Sequence, residues 1–234
     1  MLKDLSLIAE VIQIEPLTQN ILKVILKPQH YVPYIAGQYL QILTQKEALC
    51  FSIANAPLGA HYYELHIRHS PQNLALQKLM QEMKEVGELP IFLPLGTCHV
   101  NKLSTERATI MLAQGTGFAP IKAIIEQWLT DGNIPPTLFC WLTRTKSDCY
   151  MRQLVEKWDF EVENFHFLPL SADFTDLNIL NKLKEHSGFD LHNVQVVLSG
   201  PFERMHALKK AGISIGFKDD QFFSDAFESI TKEQ

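Results

Sequence analysis

Cysteine is scarce and scattered in this 234-residue chain: Cys50, Cys98, Cys140 and Cys149 form no C-x-x-C pair. Zinc sites and iron–sulfur clusters need closely spaced ligands, so neither is expected and no metal ligand set is assigned. Long apolar runs are missing too. None approaches the roughly 20 residues of a membrane-spanning helix, and Met1-Leu2-Lys3-Asp4 lacks the charged-then-apolar layout of a signal peptide. A cytoplasmic protein without a membrane partner is expected. Charge of one sign is nowhere concentrated: 21 Lys and Arg are dispersed among 26 Asp and Glu, for a net charge of -5, which leaves no electrostatic footprint for nucleic acid. No internal repeat or low-complexity tract occurs. What is present is a globular composition, 46% hydrophobic, with enough chain for two cores.

Over the first hundred residues apolar and polar positions alternate at period two. Leu5 to Ile14, Ile21 to Leu26, Tyr39 to Leu43, Tyr62 to Ile67 and Leu89 to Leu93 read as strands, separated by Pro16, Pro28, Pro33, Gly37 and a Pro57-Leu58-Gly59 turn. This predicts an antiparallel sheet closed into a small barrel. One helix interrupts it, with Ser70 as N-cap, Pro71 at the first helical position and Leu76, Leu79, Met80 and Met83 as the stripe that plugs one end. From about Leu103 the pattern changes to strands at 108–113, 137–142, 165–170 and 194–198, alternating with helices at 118–130, 148–158, 175–187 and 201–211. That alternation predicts a parallel α/β domain. The polar stretch Gly96 to Glu106 is the expected linker, dividing a domain at 1–102 from one at 103–234.

The most informative segment opens that second pattern. An apolar run, Thr109 to Ala113, breaks into Gly115-Thr116-Gly117, and Ile121, Ile124, Ile125, Trp128 and Leu129 then repeat at helical spacing. Glycines let backbone N–H groups approach a pyrophosphate, and the helix turns its positive end to the same charge. Such a turn alone is a weak signal, because ordinary strand-to-helix connections use it as well. Its context predicts the first β-α unit of a doubly wound domain.

Several motifs then occur in a set order: Ala36-Gly37-Gln38-Tyr39-Leu40, Phe51-Ser52-Ile53-Ala54-Asn55-Ala56-Pro57, Glu64-Leu65-His66-Ile67, Gly115-Thr116-Gly117-Phe118-Ala119-Pro120, Trp141 with Arg144, Ser199-Gly200-Pro201-Phe202-Glu203, and Phe223-Ser224-Asp225-Ala226-Phe227. Over nearly its whole length the chain resembles the ferredoxin-NADP reductase superfamily. Within it the likeness is to the short bacterial NAD(P)H-flavin reductases, which include the flavin suppliers of bacterial luciferase. The resemblance implies an N-terminal antiparallel β-barrel of Greek-key type that binds flavin, followed by a doubly wound parallel-sheet domain that binds NADH or NADPH. It places the flavin in the crevice between them, its ring against Phe51, Ser52, Ile53 and Ala54, with the nicotinamide on the opposite face.

The same resemblance assigns roles. Ser52 donates toward flavin N5, the atom that receives the hydride; judged on the strand alone, its hydroxyl serves equally to satisfy a neighbouring carbonyl. His66 (through its backbone), Ile67, Arg68 and Ser70 are expected on the flavin side. Gly115, Thr116, Gly117, Phe118 and Pro120 are expected at the pyrophosphate, with Thr116 near the nicotinamide. Ser199, Gly200 and Pro201 end a strand at the sheet edge where α/β ligands bind and are given a positioning role. Arg144 lies where the family holds the adenosine ribose: with Lys146 nearby it either meets a 2′-phosphate or is a solvated loop arginine, and NADH versus NADPH stays open. Asp225 either assists proton delivery to reduced flavin or caps the terminal segment. Phe227 either borders the flavin or fills core. His66 and His69, three apart at a strand end, point to opposite faces, which is poor geometry for a metal.

Two departures from the family pattern bear on flavin binding. Leu49 stands where many relatives carry an arginine for the flavin phosphate, and Arg68-His69-Ser70 replaces the usual small residues. Arg68 is the candidate to supply the cation that Leu49 does not. With no cysteine array in cis and little chain after Phe227, the expected activity is NAD(P)H:flavin oxidoreduction. Riboflavin, FMN or FAD would serve as a loosely bound substrate whose reduced form passes to a flavin-dependent monooxygenase or another acceptor. One alternative is a reductase with bound flavin that feeds a separate ferredoxin or oxygenase protein. A second is a binding-only partner subunit without turnover.

Overall fold

A computed structural model describes residues 6–44 and 46–228. The N-terminal half holds β1 (Leu7–Thr18), β2 (Ile21–Pro28), β3 (Tyr39–Leu43), β4 (Ala48–Ser52), β5 (Tyr63–Arg68), helix α1 (Leu74–Glu85) and β6 (Glu88–Leu95). The strands are antiparallel in the order β4-β3-β6-β1-β2-β5. The two ends of that order meet, because Ile53, just past β4, bridges Leu65 of β5 and the Ala54 N–H donates to the Glu64 carbonyl at 2.7 Å. The sheet is thus the expected Greek-key barrel, and its closure pairs what would otherwise be open edges. Val24, Leu26, Leu40, Ile42, Leu65 and Ile91 fill it, with Leu79 and Met83 of α1 packed among them.

Local differences from the sequence reading each have a cause. Leu5, the expected start of the first strand, lies outside the described residues. Pro16 does not end β1. It sits at a register irregularity where β1 pairs with β2 alone, β6 covering only Leu7 to Glu10, so no second ladder asks for its missing N–H. Ser70 does not cap α1. Ser70 to Asn73 form a turn, with the Asn73 N–H on the Ser70 carbonyl at 3.0 Å, and Asn73 Oδ1 takes the Leu76 N–H at 3.1 Å as the true N-cap.

The C-terminal half continues with β7 (Ala108–Gln114), α2 (Phe118–Thr130), β8 (Thr137–Thr143), α3 (Arg152–Glu161), β9 (Phe165–Ser171), α4 (Asp176–Ser187), β10 (Val194–Ser199), α5 (Phe202–Ser214) and the two-residue β11 (Phe222–Phe223). All five strands are parallel, in the order β11-β10-β7-β8-β9. Ile110, Leu112, Leu138, Cys140 and Val196 meet α4 and α5 on one face. On the other, Phe139 and Trp141 belong to a ring cluster that reaches Trp158 of α3. Helix α3 starts at Arg152 rather than 148, because the Asp148 carboxylate closes a separate turn on the Thr145 N–H at 3.1 Å and the chain bends at Cys149 before the helix begins.

By packing, the described residues up to Val100 group with Ala119–Thr130 of α2, and Asn101–Phe118 group with the described residues from Asp131 onward. No helix among the described residues is long and apolar enough to cross a membrane.

Candidate functional site

In the parallel unit the chain runs from β7 through β8 to β9 and then returns to place β10 on the other side of β7. Ligands of open α/β sheets bind at the carboxyl ends of strands where the order reverses in this way. The sequence-predicted residues collect on that edge. Gly115, Thr116 and Gly117 form one tight turn after β7, and the Phe118 N–H bonds back to the Gly115 and Thr116 carbonyls. Ser199 ends β10 and Gly200 and Pro201 follow it, Arg144 follows β8, and Asp225 and Phe227 follow β11.

Two turns of this edge pack backbone to backbone. A Cβ on Gly117 would overlap the Ser199 carbonyl, and one on Gly200 would lie 2.9 Å from the Gln114 Cβ. The turn is also held from below. Trp141 Nε1 donates to the Gly115 carbonyl at 3.0 Å, and its ring stacks on Phe118 with centroids 4.1 Å apart. The Phe118 ring is thus fully buried among Phe139, Trp141, Tyr150 and Trp158, so only its backbone is at the turn. Pro120 is the third residue of α2, within the first turn, where a missing N–H breaks no helical bond. Beside the turn, Gln114 Oε1 is buried with no donor among the described residues. An orphaned acceptor of that kind fits a ligand that brings its own N–H or O–H.

The outlying predicted residues are less confined. Arg144 is exposed. Phe227 packs on α5, edge-on to His206 at 5.2 Å and under Lys209 Nζ at 4.7 Å, while His206 Nε2 bonds the Ala226 carbonyl at 2.8 Å. Ser224 Oγ, rather than Asp225, caps the short terminal turn by accepting from the Ala226 N–H at 3.2 Å.

In the antiparallel unit the parity of β4 decides which side chains face out. Leu49, Phe51 and Ile53 turn to the barrel core, and Ser52 takes the opposite face, half-buried, with a hydroxyl that makes no hydrogen bond among the described residues. On β5, Tyr63, Leu65 and Ile67 likewise fill the core, Arg68 is exposed, and Ser70 belongs to the turn before α1.

Glu64 and His66 occupy the outward positions of β5 and are nevertheless buried. Their partner is Lys122 of α2, itself 4% exposed. Lys122 Nζ lies 3.3 Å from Glu64 Oε1, 2.8 Å from Glu126 Oε1 and 3.0 Å from the Ala54 carbonyl, and His66 Nε2 lies 2.8 Å from Glu64 Oε1. Burial works to raise the Glu64 pKa, but the His66 hydrogen bond and the Lys122 charge outweigh it and hold the carboxyl at about 2. Burial lowers the pKa of His66 despite its carboxylate neighbour, so the imidazole is neutral and Nε2 carries the proton given to Glu64.

Both shifts favour the folded state at neutral pH and lose that contribution on acidification. An unfolded His66 gains a proton below its ordinary 6.5, and an unfolded Glu64 below its ordinary 4.5, before either does in the fold. Stability in urea is expected to fall from about pH 6.5 downward, with Glu64 contributing about 3 kcal/mol that disappears between pH 4.5 and 2. Glu64→Gln should flatten the lower part of that curve; superimposable slopes for the variant and the unaltered protein below pH 4.5 would refute the assignment.

Sequence reasoning passes over Glu64, Gln114, Lys122 and Glu126. A signal existed for three of them: Lys122 and Glu126, four apart, interrupt an apolar helix, and Glu64 alternates with core positions of a strand. Gln114 shows no such mark.

A profile described as an oxidoreductase NAD-binding domain matches residues 111–210. The chain is 30% identical to an NAD(P)H-flavin reductase of Vibrio harveyi over 231 residues, covering 93% of this chain and 96% of that protein. It is 28% identical over 200 residues to reductase component 2 of a terephthalate 1,2-dioxygenase from a Comamonas species, covering 82% of this chain but 59% of that protein. Among solved structures, a ferredoxin NADP+ reductase from Neisseria gonorrhoeae with bound FAD and NADP superposes with a TM-score of 0.76 at 12% identity, covering 91% of this chain and 92% of that one.

Proposed function

The chain belongs to the NAD(P)H-flavin reductase family, and from that membership we propose that it carries a hydride from NADH or NADPH to a loosely held riboflavin, FMN or FAD, which leaves reduced. The single observation behind this reading is the end-to-end likeness to an NAD(P)H-flavin reductase, of which this chain covers 96%. When bound, the nicotinamide supplies the hydride and the flavin accepts it at N5, so that no protein nucleophile is needed.

The protein's part is binding and orientation. The Gly115-Thr116-Gly117 turn and the start of α2 hold the pyrophosphate, Gln114 Oε1 offers its vacant acceptor to a ligand N–H or O–H, and Ser199, Gly200 and Pro201 wall the same edge. Arg144 is the cation available to a 2′-phosphate. On the barrel, Ser52 presents its unpartnered hydroxyl as a donor toward flavin N5, flanked by Phe51, Ile53 and Ala54, with His66, Ile67, Arg68 and Ser70 on and after the adjoining strand. The hold of α5 on Phe227 supports core filling for that ring, and Asp225 keeps the proposed role in proton delivery to reduced flavin, since Ser224 caps the terminal turn.

Anaerobic bleaching of riboflavin and FMN by NADH and NADPH, with catalytic protein, tests the proposal. Many turnovers by colourless protein are expected. Ser52→Ala should lower kcat roughly tenfold to a hundredfold, because the lost hydrogen bond strengthens as charge develops on the acceptor, while KM for the nicotinamide stays the same. An unchanged kcat would remove Ser52 from the reaction.

A second reading is favoured by the likeness to a dioxygenase reductase component: a tightly held flavin that passes electrons to a separate acceptor protein. It predicts a yellow protein that NADH reduces once and no further.

A further inference from the structure

The segment Ile53 to Ala56 leaves the barrel after β4, so its peptide groups lose the regular partners of a strand and need others. They have them. The Ile53 N–H donates to the Gln38 carbonyl at 3.0 Å and the Ala54 N–H to the Glu64 carbonyl at 2.7 Å. The Ala54 carbonyl accepts from Lys122 Nζ at 3.0 Å, the Asn55 carbonyl accepts from the Tyr34 hydroxyl at 2.7 Å, and the Ala56 N–H donates to Glu126 Oε2 at 3.2 Å.

Lys122 and Glu126 stand one helical turn apart and pair at 2.8 Å, so a single ion pair of α2 grips two peptide groups of this segment. With Glu64 as its third partner, the ammonium has an acceptor for each of its donors. Small side chains allow the approach, since Ala36, Ala56 and Ala123 cluster at the contact. A buried ion pair is a poor source of net stability, because desolvation of both charges offsets most of the attraction. What it supplies that an apolar pair cannot is direction: a donor aimed at one carbonyl and an acceptor aimed at one N–H two residues on.

We propose that Lys122 and Glu126 are positioning residues that fix the Ile53–Ala56 peptide, and through it the seat of the flavin ring beside Ser52. The inference rests on the flavin-reductase reading above. Preorganisation of this kind acts through geometry, and displacements near 1 Å cost up to roughly a hundredfold in rate.

Lys122→Met alone strands Glu64 without its cation and risks misfolding, so the decisive variant is Lys122→Met/Glu64→Gln. It removes one buried charge of each sign and leaves the Ala54 carbonyl without its donor. Glu64→Gln alone, which keeps the Lys122 grip, is the reference. Two readouts are compared: hydrogen exchange of peptides covering residues 51–58, which needs no flavin, and steady-state KM for riboflavin and for NADH.

In the double variant, exchange in this segment is expected to rise about tenfold over the reference while β2 and β5 keep their protection. Riboflavin KM should rise about tenfold with NADH KM unchanged. Exchange as slow as in the reference, or KM values that rise together for both substrates, would overturn the positioning role. Absence of riboflavin turnover by the unaltered protein would instead overturn the flavin reading and the flavin part of this inference with it, and the exchange data would still decide whether Lys122 holds the peptide.

Discussion

Gly117→Ala is expected to lower kcat/KM for NADH at least about a hundredfold. The added Cβ would overlap the carbonyl of Ser199 and press on the Gly200 nitrogen, both backbone atoms that cannot swing aside as a side chain would. Either the turn after β7 or the turn after β10 must move. Both lie on the carboxyl edge of adjacent strands, paired from Val194 with Ala108 up to Ser199 with Ala113, so the displacement falls where the nucleotide is expected. A shift near 1 Å there costs roughly two orders of magnitude, about 2.7 kcal/mol. The loss should appear in the KM for NADH and in the hydride-transfer rate measured by stopped flow, whereas flavin binding to the barrel should be untouched. A variant with an ordinary KM for NADH would show that this turn does not bind the nucleotide.

That turn could be recognised from sequence because its constraint is local: two glycines between an apolar run and a helical period admit few other backbones. The strands of the parallel sheet were equally readable, since burial on both faces demands continuous apolar residues such as Thr109 to Ala113. Elements fixed by distant partners were not. Strand β4 is only five residues long, its alternation of large against small side chains carries no polar contrast until Ser52, and its place is set by pairing with β3 from Tyr39–Ser52 to Leu43–Ala48. The two residues of β11 are too few for any period and are defined by β10. At the start of α1, Ser70 and Asn73 are both competent caps, and only the turn between them decides for Asn73.

The candidate site divides along the same line. Motif order picked out Ser52 and Gly115 to Gly117, but side-chain direction belongs to the fold. The outward face of Ser52 follows from the strand parity that sends Phe51 inward, and the ring of Phe118 turns away from the edge into the aromatic core. The Lys122 network was least visible, because it joins residues 68 positions apart that have no motif in common. Charged residues in an apolar helix also read as solvated until the barrel strand that buries them is known.

Trp141→Ala is expected to destabilise the parallel unit by about 3–5 kcal/mol. The indole is fully buried, stacked on Phe118 at 4.1 Å, edge-on to Tyr150 at 5.1 Å and tilted against Phe139 at 5.9 Å, so truncation leaves a cavity whose walls are rigid rings. It also takes the indole donor from the Gly115 carbonyl, which keeps the bond from the Phe118 N–H. Trp141→Phe separates the two contributions by keeping most of the stack and losing only the Nε1 hydrogen bond. That variant should cost about 1–2 kcal/mol in urea unfolding, yet raise the KM for NADH several-fold, because the carbonyl that loses its indole donor belongs to the turn proposed to hold the phosphates. If Trp141→Phe loses stability while KM stays fixed, the indole only fills the core. If KM rises, the aromatic cluster beneath the sheet edge sets the shape of the turn proposed to bind the nucleotide, and Trp141 acts on binding through that turn.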